Sequence, residues 1–443
     1  MPTFLVQSST GPREMNRTLA EWLDHQQRVH PRAIELGLER VREVWQRLGA
    51  PAPAPVVITV GGTNGKGSTV AFLEAMLAAS GKRVGAYTSP HLLRYNERVR
   101  VAGADVGDTA LVDAFERIEA ARVADSSAPV ALTYFEYGTL AALWIFAQAG
   151  LDVAVLEVGL GGRLDAVNII DADAAIVTTI DIDHQDWLGN DRDAIGREKA
   201  GIFRRGKPAI VGELDPPSAL LEHASLLGAN LQRAGREYAI AEAEHGWNWR
   251  AGMVELVLPR PGLAAPCQIG NAAAAIAALH ALRERLGWNP AAIAQGVRGA
   301  RVGARLQRFA GPPELVVDVA HNPQAARILA AWLGQTPIEG RTIAVFGALD
   351  DKDIEGIVDA LAPCIDTWYL VGLDRESPRG LAAQALRERI ARIPAEAIVV
   401  TGADATQALE DACASTRPGD RVLAFGSFMV AAPALVFAMS RFS

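Results

Sequence analysis

Lys66 stands between glycines at the end of an apolar run, in Gly61-Gly62-Thr63-Asn64-Gly65-Lys66-Gly67-Ser68-Thr69. An ammonium, neighbouring hydroxyls and unhindered backbone N–H groups in one short stretch suit a phosphate anion. Lys66 would reach the terminal phosphates of a nucleotide, and Ser68 or Thr69 would offer a hydroxyl to Mg2+ or phosphate. Thr63, Asn64, Gly65, Lys66, Gly67 and Ser68 are therefore the expected cradle. One glycine separates the lysine from the hydroxyl residues, so the spacing differs from the common phosphate-loop pattern. The plainer alternative is an ordinary glycine turn. The setting argues for phosphate: Val56 to Val60 reads as a buried strand and Ala71 to Leu77 as the helix that follows.

Other polar residues stand where apolar runs stop, the edge at which open α/β sheets bind ligands. Ser89 follows Arg83–Tyr87. Glu157 ends Val153-Ala154-Val155-Leu156. His184 follows Thr178 to Asp183, and Asp318 and His321 follow Leu315-Val316-Val317. A carboxylate ending a wholly apolar strand is costly unless paired, and Mg2+ beside a nucleotide would pair Glu157; a capping or salt-bridging acid is the alternative. His184 reads equally well as a structural histidine, and Ser89 as a turn cap before Pro90. Lys199, in Gly196-Arg197-Glu198-Lys199-Ala200, reads by pattern as a solvated lysine at a helix end. Asn271 reads as the N-cap of an alanine-rich helix over Asn271–Leu286. Arg305 is a phosphate contact or a solvated linker charge.

These residues need a scaffold of adequate size. The chain has 443 residues, half of them apolar, and a formal net charge of −8. That length calls for two or three domains. The negative balance, with no basic run, argues against a nucleic-acid surface. Cys267, Cys364 and Cys413 are far apart and odd in number, which suits a reducing cytosol and no metal framework. The N-terminus, with Arg13, Glu14 and Arg17, lacks the apolar core of a leader. Gly138 to Gly159 reads as helix, turn and buried strand, not as a membrane span. A cytoplasmic monomer is expected.

Ile34, Leu38, Val41, Trp45 and Leu48 fall at helical spacing and end at Gly49. Arg83–Tyr87, Val153–Leu156, Ala175–Thr179 and Ala209–Gly212 are apolar runs alternating with helical patterns, which predicts a parallel sheet covered on both faces. Glu314–Val319, Thr342–Phe346, Thr367–Val371, Ala397–Val400 and Arg421–Phe425 form a second such set. The boundary falls at Gly299–Arg305. The expected division is an ATP-binding domain over 1–300, a hinge over 301–305 and a smaller unit over 306–443.

Taken in order, the motifs resemble the folylpolyglutamate synthase/dihydrofolate synthase branch of the Mur ligases. The matching strings are Ile34 to Val41, Gly62 to Ser68, Thr88 to Leu92 with Tyr95 to Val99, and Thr133 to Glu136. They continue with Leu156 to Asn168, Asp183-His184 with Trp187 to Gly189, Arg197 to Arg204, Asn271 to Ala273, and Asp318 to Pro323. The resemblance implies a P-loop domain with a parallel sheet and a Rossmann-like α/β C-terminal domain. It implies ATP and two magnesium ions, with Ser89, Glu157 and His184 as metal ligands. It makes Lys199 a carbamylated lysine of the metal site, against the surface reading from pattern. Asn271, Arg305 and Asp318 become nucleotide contacts, and His321 a neighbour of the incoming L-glutamate. Ile34, Glu35, Thr133, Phe135, Glu136, Arg163 and Asp165 become walls of a pterin site. The implied substrates are 7,8-dihydropteroate and reduced folates, joined to glutamate through an acyl phosphate.

This chain departs from the family pattern twice. Gly303-Ala304-Arg305 replaces the usual Pro-Gly-Arg, which changes hinge stiffness because proline fixes φ and glycine frees it. Glu35 replaces the usual Asp. Two rival readings remain from sequence: a Mur-type ligase acting on a cell-wall nucleotide, and a P-loop switch that hydrolyses nucleotide to move a partner.

Overall fold

The computed structural model describes residues 17–32, 34–401 and 404–442. The reading of the N-terminus as leaderless falls largely on residues 1–16, outside this set. Three sheets organise the described residues. The first has eight strands: β1 (Val56–Gly61), β2 (Val84–Tyr87), β3 (Val99–Val101), β4 (Ala104–Asp105), β5 (Val153–Glu157), β6 (Ala174–Val177), β7 (Pro208–Val211) and β8 (Asn230–Arg233). Their spatial order is β4-β3-β2-β5-β1-β6-β7-β8.

β1 sits near the middle because all six of its residues are buried, which only a strand covered on both faces tolerates. It runs parallel to β5 and β6, with Val60 opposite Glu157 and Gly61 opposite Val177. The parallel alignment brings the phosphate loop and Glu157 to the same sheet edge. The helix Lys66–Ala79 leaves β1 directly. It packs closely on the helix Pro290–Gly299, where a Cβ on Gly296 would lie 2.5 Å from Met76 backbone atoms.

Two additions were not expected. β3 and β4 join the sheet antiparallel. A separate antiparallel sheet is formed by β9 (Ala239–Ala243), β10 (Gly246–Ala251) and β11 (Val254–Leu258). Trp247 and Trp249 of β10 are fully buried, and Trp249 Nε1 donates to Ala273 O at 3.2 Å. The small side chains of the alanine-rich helix let this sheet approach it.

The third sheet holds β12 (Gln307–Phe309), β13 (Glu314–Val317), β14 (Thr342–Phe346), β15 (Thr367–Leu370), β16 (Ile398–Val400) and β17 (Arg421–Phe425). The order is β12-β13-β17-β14-β15-β16, and only β12 is antiparallel. Strand bounds agree with the apolar runs to within two residues. Gly138 to Gly159 spans most of the helix Tyr134–Gln148 and all of β5. Among the described residues no helix is long and apolar enough to cross a membrane.

Two helical readings need correction. The helix expected from Ile34 starts only at Glu39, because Gly37 N donates to Leu164 O and Glu35 is held by Arg40. The alanine-rich helix starts at Gln268 and ends at Ala281. Asn271 is thus inside its first turn and does not cap it.

Phe425 centres one core of the third sheet, with its ring 4.9 Å from Phe346 and 6.2 Å from Trp368. Phe425→Ala is expected to lower stability by ~3–5 kcal/mol in equilibrium urea unfolding.

Candidate active site

The phosphate loop holds its shape through two glycines that have no alternative. Gly65 has φ +87°, and a Cβ there would stand 2.5 Å from Asn271 Oδ1; a Cβ on Gly62 would stand 1.9 Å from Thr178 Oγ1. The end of β6 pins the loop: Thr63 N donates to Thr179 O at 2.7 Å, and Thr178 Oγ1 donates to Asn64 O at 2.6 Å. Lys66 Nζ donates to Gly62 O and Thr63 O, both at 3.1 Å. Its ammonium is therefore folded back over the cradle. Ser68 Oγ accepts from Gln268 Nε2 at 3.2 Å, and Gln268 Oε1 accepts from Asn271 Nδ2 at 3.0 Å.

Glu157 is 4% exposed and Lys199 3% exposed. Burial raises the pKa of the Glu157 carboxyl, while the Lys66 charge opposes that rise. Oε2 accepts from Ser89 N at 3.2 Å. A buried carboxylate with so few donors suits a cation that takes its other ligands from phosphate and water, the usual habit of Mg2+. Among the described residues no three His, Cys, Asp or Glu side chains converge as a self-sufficient metal cage; Ser89, Glu157 and His184 would supply only part of a shell. The solvated reading of Lys199 is wrong, since its helix packs through Gly196 against Pro217 and Leu220. Burial, then the nearby Lys66 charge, lowers the Lys199 amine to about 7. His184 is lowered to about 4, chiefly by burial. It sits at φ 53°, a left-handed backbone that is uncommon for histidine.

The other wall comes from the third sheet. Arg305, Asp318 and His321 line one cavity of about 350 Å3 together with the phosphate loop, Ser89, Glu157, His184, Lys199 and Asn271. Arg305 is therefore a cavity residue, not a solvated linker charge. Both Asp318 oxygens accept backbone N–H groups, from Leu306 and Ala320, each at 2.7 Å. Asp318 thus shapes the linker as well as the cavity. In that linker Ala304 has φ 51° and Leu306 φ 47°. A Cβ on residue 303 would meet Leu92 Cδ1 at 2.9 Å, so glycine suits the place where the family has proline. His321 Nδ1 donates to Val319 O at 2.7 Å, which leaves Nε2 facing Asp183 Oδ2 at 3.7 Å.

The residues expected to wall a pterin site do not line this cavity. Phe135 packs behind its wall, with its ring 2.5 Å from where a Cβ on Gly159, a lining residue, would be. Asp165, 3% exposed, accepts from Leu160 N and Val167 N, and burial raises its carboxyl to about 7. Glu136 is fully engaged: Oε1 accepts from Arg40 at 3.0 Å and Oε2 from Thr133 N at 2.7 Å, closing a helix cap. Glu35 pairs with Arg40 at 2.7 Å. Arg163 pairs with Glu198 at 2.6 Å and is half exposed. Ile34 is partly buried.

Several residues in or beside the cavity escaped sequence reasoning. Gln268 lies outside every matching string, and its one signal was position just ahead of Asn271. Lys352 sits in a turn, yet its side chain is 6% exposed and donates to Asp183 Oδ1 at 2.7 Å. Burial raises the pKa of the Asp183 carboxyl, but Lys352, His184 and His321 together hold it well below the usual range. Gln324 accepts from Thr179 Oγ1 at 3.1 Å across the cleft.

Comparison with known proteins matches this arrangement. Residues 60–279 fit the model of the Mur ligase middle domain, and 304–428 that of the Mur ligase glutamate ligase domain. The chain is 47% identical over 411 residues to the dihydrofolate synthase/folylpolyglutamate synthase of Escherichia coli K12, covering 93% of each. It is 39% identical over 434 residues to the Haemophilus influenzae enzyme of the same name, covering 93% of this chain and 95% of that one. The E. coli FolC structure with DHPP and ADP superposes with a TM-score of 0.89 at 46% identity, covering 97% of this chain and 99% of that one. A bifunctional folylpolyglutamate synthase/dihydrofolate synthase with Mn, AMPPNP and L-glutamate superposes at 0.86 and 45% identity, covering 95% and 98%. A phosphate loop and a second α/β unit meeting over one polar cavity thus have close counterparts along nearly the whole length, and the chain belongs to the dihydrofolate synthase/folylpolyglutamate synthase branch of the Mur ligase family.

Proposed function

We propose that the protein joins L-glutamate to 7,8-dihydropteroate and to the γ-carboxylate of reduced folates at the expense of ATP. The observation that carries this reading is the single cavity in which the phosphate loop and Glu157 from one sheet edge face Arg305, Asp318 and His321 from the other. Relatives solved with ADP and DHPP, and with AMPPNP and L-glutamate, supply the substrate classes.

A carboxylate is a poor acyl donor because its leaving group would be oxide. Transfer of the ATP γ-phosphoryl to a carboxylate oxygen gives an acyl phosphate, which the glutamate amine attacks with loss of phosphate. Two anions must first approach each other, so catalysis is mostly positioning and charge stabilisation. Lys66 spreads the charge on the transferring phosphoryl group. Asn271, Arg305 and Asp318 hold the nucleotide. Mg2+, two ions in this reading, would be held by Ser89, Glu157 and His184 and would neutralise phosphate oxygens. His321 Nε2 is assigned to take the proton released by the attacking amine. Ile34, Glu35, Thr133, Phe135, Glu136, Arg163 and Asp165 are assigned as walls of the site for the acid's ring system. The hinge is assigned to 301–305, between units 1–300 and 306–443; closure across it excludes water from the acyl phosphate. Three free cysteines fit a cytosolic setting.

Lys199 is assigned as a carbamate. An amine of pKa about 7 is roughly half neutral at pH 7, and the neutral form attacks CO2, releasing one proton. The product is an anion, which removes a buried cation beside Lys66 and adds a ligand for a dication.

Four measurements test the reading. ADP release should require both glutamate and an acid, tested first with dihydropteroate and then with tetrahydrofolate; release without either would favour a hydrolytic switch. Lys66→Ala should lower kcat/KM by about a thousandfold, and wild-type dihydrofolate formation would refute its role. Protein equilibrated with 13C-bicarbonate should show a carbamate resonance that Lys199→Ala lacks and that fades as pH falls below about 7. Short carboxylic acids should restore activity to Lys199→Ala, and full activity without them would rule the carbamate out.

A further inference from the structure

Asp183 belongs to the segment after β6 and Lys352 to the turn after β14, so their contact bridges the two α/β units. Their side chains are 8% and 6% exposed. Asp183 Oδ1 accepts from Lys352 Nζ at 2.7 Å and also from His184 N at 2.8 Å. Oδ2 accepts from Asn322 Nδ2 at 3.2 Å. Asn322 and Asn64 exchange a pair of amide hydrogen bonds at 3.0 and 3.1 Å. One carboxylate therefore ties the second unit to the His184 backbone, and the same amide ties it to the phosphate loop. A second Arg or Lys contact across the cleft, Arg327 with Asp181, has a 60% exposed arginine and is correspondingly weak.

We propose that Asp183 and Lys352 are positioning residues forming a closure latch, which fixes His184 in its left-handed conformation only when the two units are shut. The assignment rests on the ligase reading for its catalytic consequence, but not for its structural one. A buried pair gains little net energy over its hydrated partners, because desolvation offsets the attraction. It can therefore open at each turnover. Loss of one partner is different, since closing would then bury an unmatched charge.

The test uses the full chain with Mg2+ and a non-hydrolysable ATP analogue, followed by small-angle scattering, alongside steady-state ADP release. Lys352→Met should stay more open than wild type and lose about a hundredfold in kcat while the KM for Mg-ATP changes less than about threefold. Lys352→Arg should close and keep activity within about tenfold of wild type. Asp183→Asn with Lys352→Met removes both charges and keeps an oxygen for the His184 amide. It should close again and recover about tenfold over Lys352→Met alone, a non-additive result. The latch is overturned if Lys352→Met closes like wild type, or if the double variant recovers nothing over Lys352→Met alone. If the wild type fails to ligate dihydropteroate, the substrate reading falls while the scattering comparison still decides the latch.

Discussion

A strand buried on both faces can offer polar groups only where it ends. β1 is such a strand, and its parallel partners β5 and β6 inherit the same restriction. The phosphate loop, Glu157 and the segment carrying His184 therefore emerge along one edge of the first sheet. β13 repeats the arrangement in the third sheet and delivers Asp318 and His321. Two hydrophobic interiors, each with one polar rim, meet rim to rim. The chemistry occupies the seam because no other place along these strands tolerates charge.

The seam is dry enough to alter the character of its ionisable groups. Lys199 is held at about 7 and His184 at about 4, so near neutrality the imidazole is largely uncharged and the amine about half so. Glu157 and Lys66 moderate each other's burial. Poorly screened charges act strongly on an incoming polyphosphate, and neutral nitrogen atoms remain available as nucleophile or base. These properties follow from packing, since the same residues in an open loop would carry their ordinary charges.

That origin explains what could be read from sequence. The phosphate loop was legible because strand, glycines and helix are contiguous, and Glu157 because an acid ending an apolar run is conspicuous. The largely parallel character of the two large sheets followed from the alternation of strands with helices. Lys199 misled because a charged helical pattern says nothing about the neighbouring helix that covers it. Asn271 misled because the run of alanines hides a helix start at Gln268. Lys352 and Gln324 carry no local signal at all; each acquires meaning only from a partner more than a hundred residues away. The antiparallel additions were missed for a related reason, as short half-exposed strands leave a faint alternation.

The linker between the sheets has its own consequence. Ala304 and Leu306 both adopt left-handed backbone angles, a conformation with a cost for residues bearing a Cβ. The two Asp318 hydrogen bonds and the buried Ala304 and Leu306 side chains maintain that conformation. The joint therefore carries backbone strain on both sides of Arg305, which lines the cavity. A single methyl group, the Cβ of Ala304, thus sets part of the cost of holding Arg305 at the cavity wall.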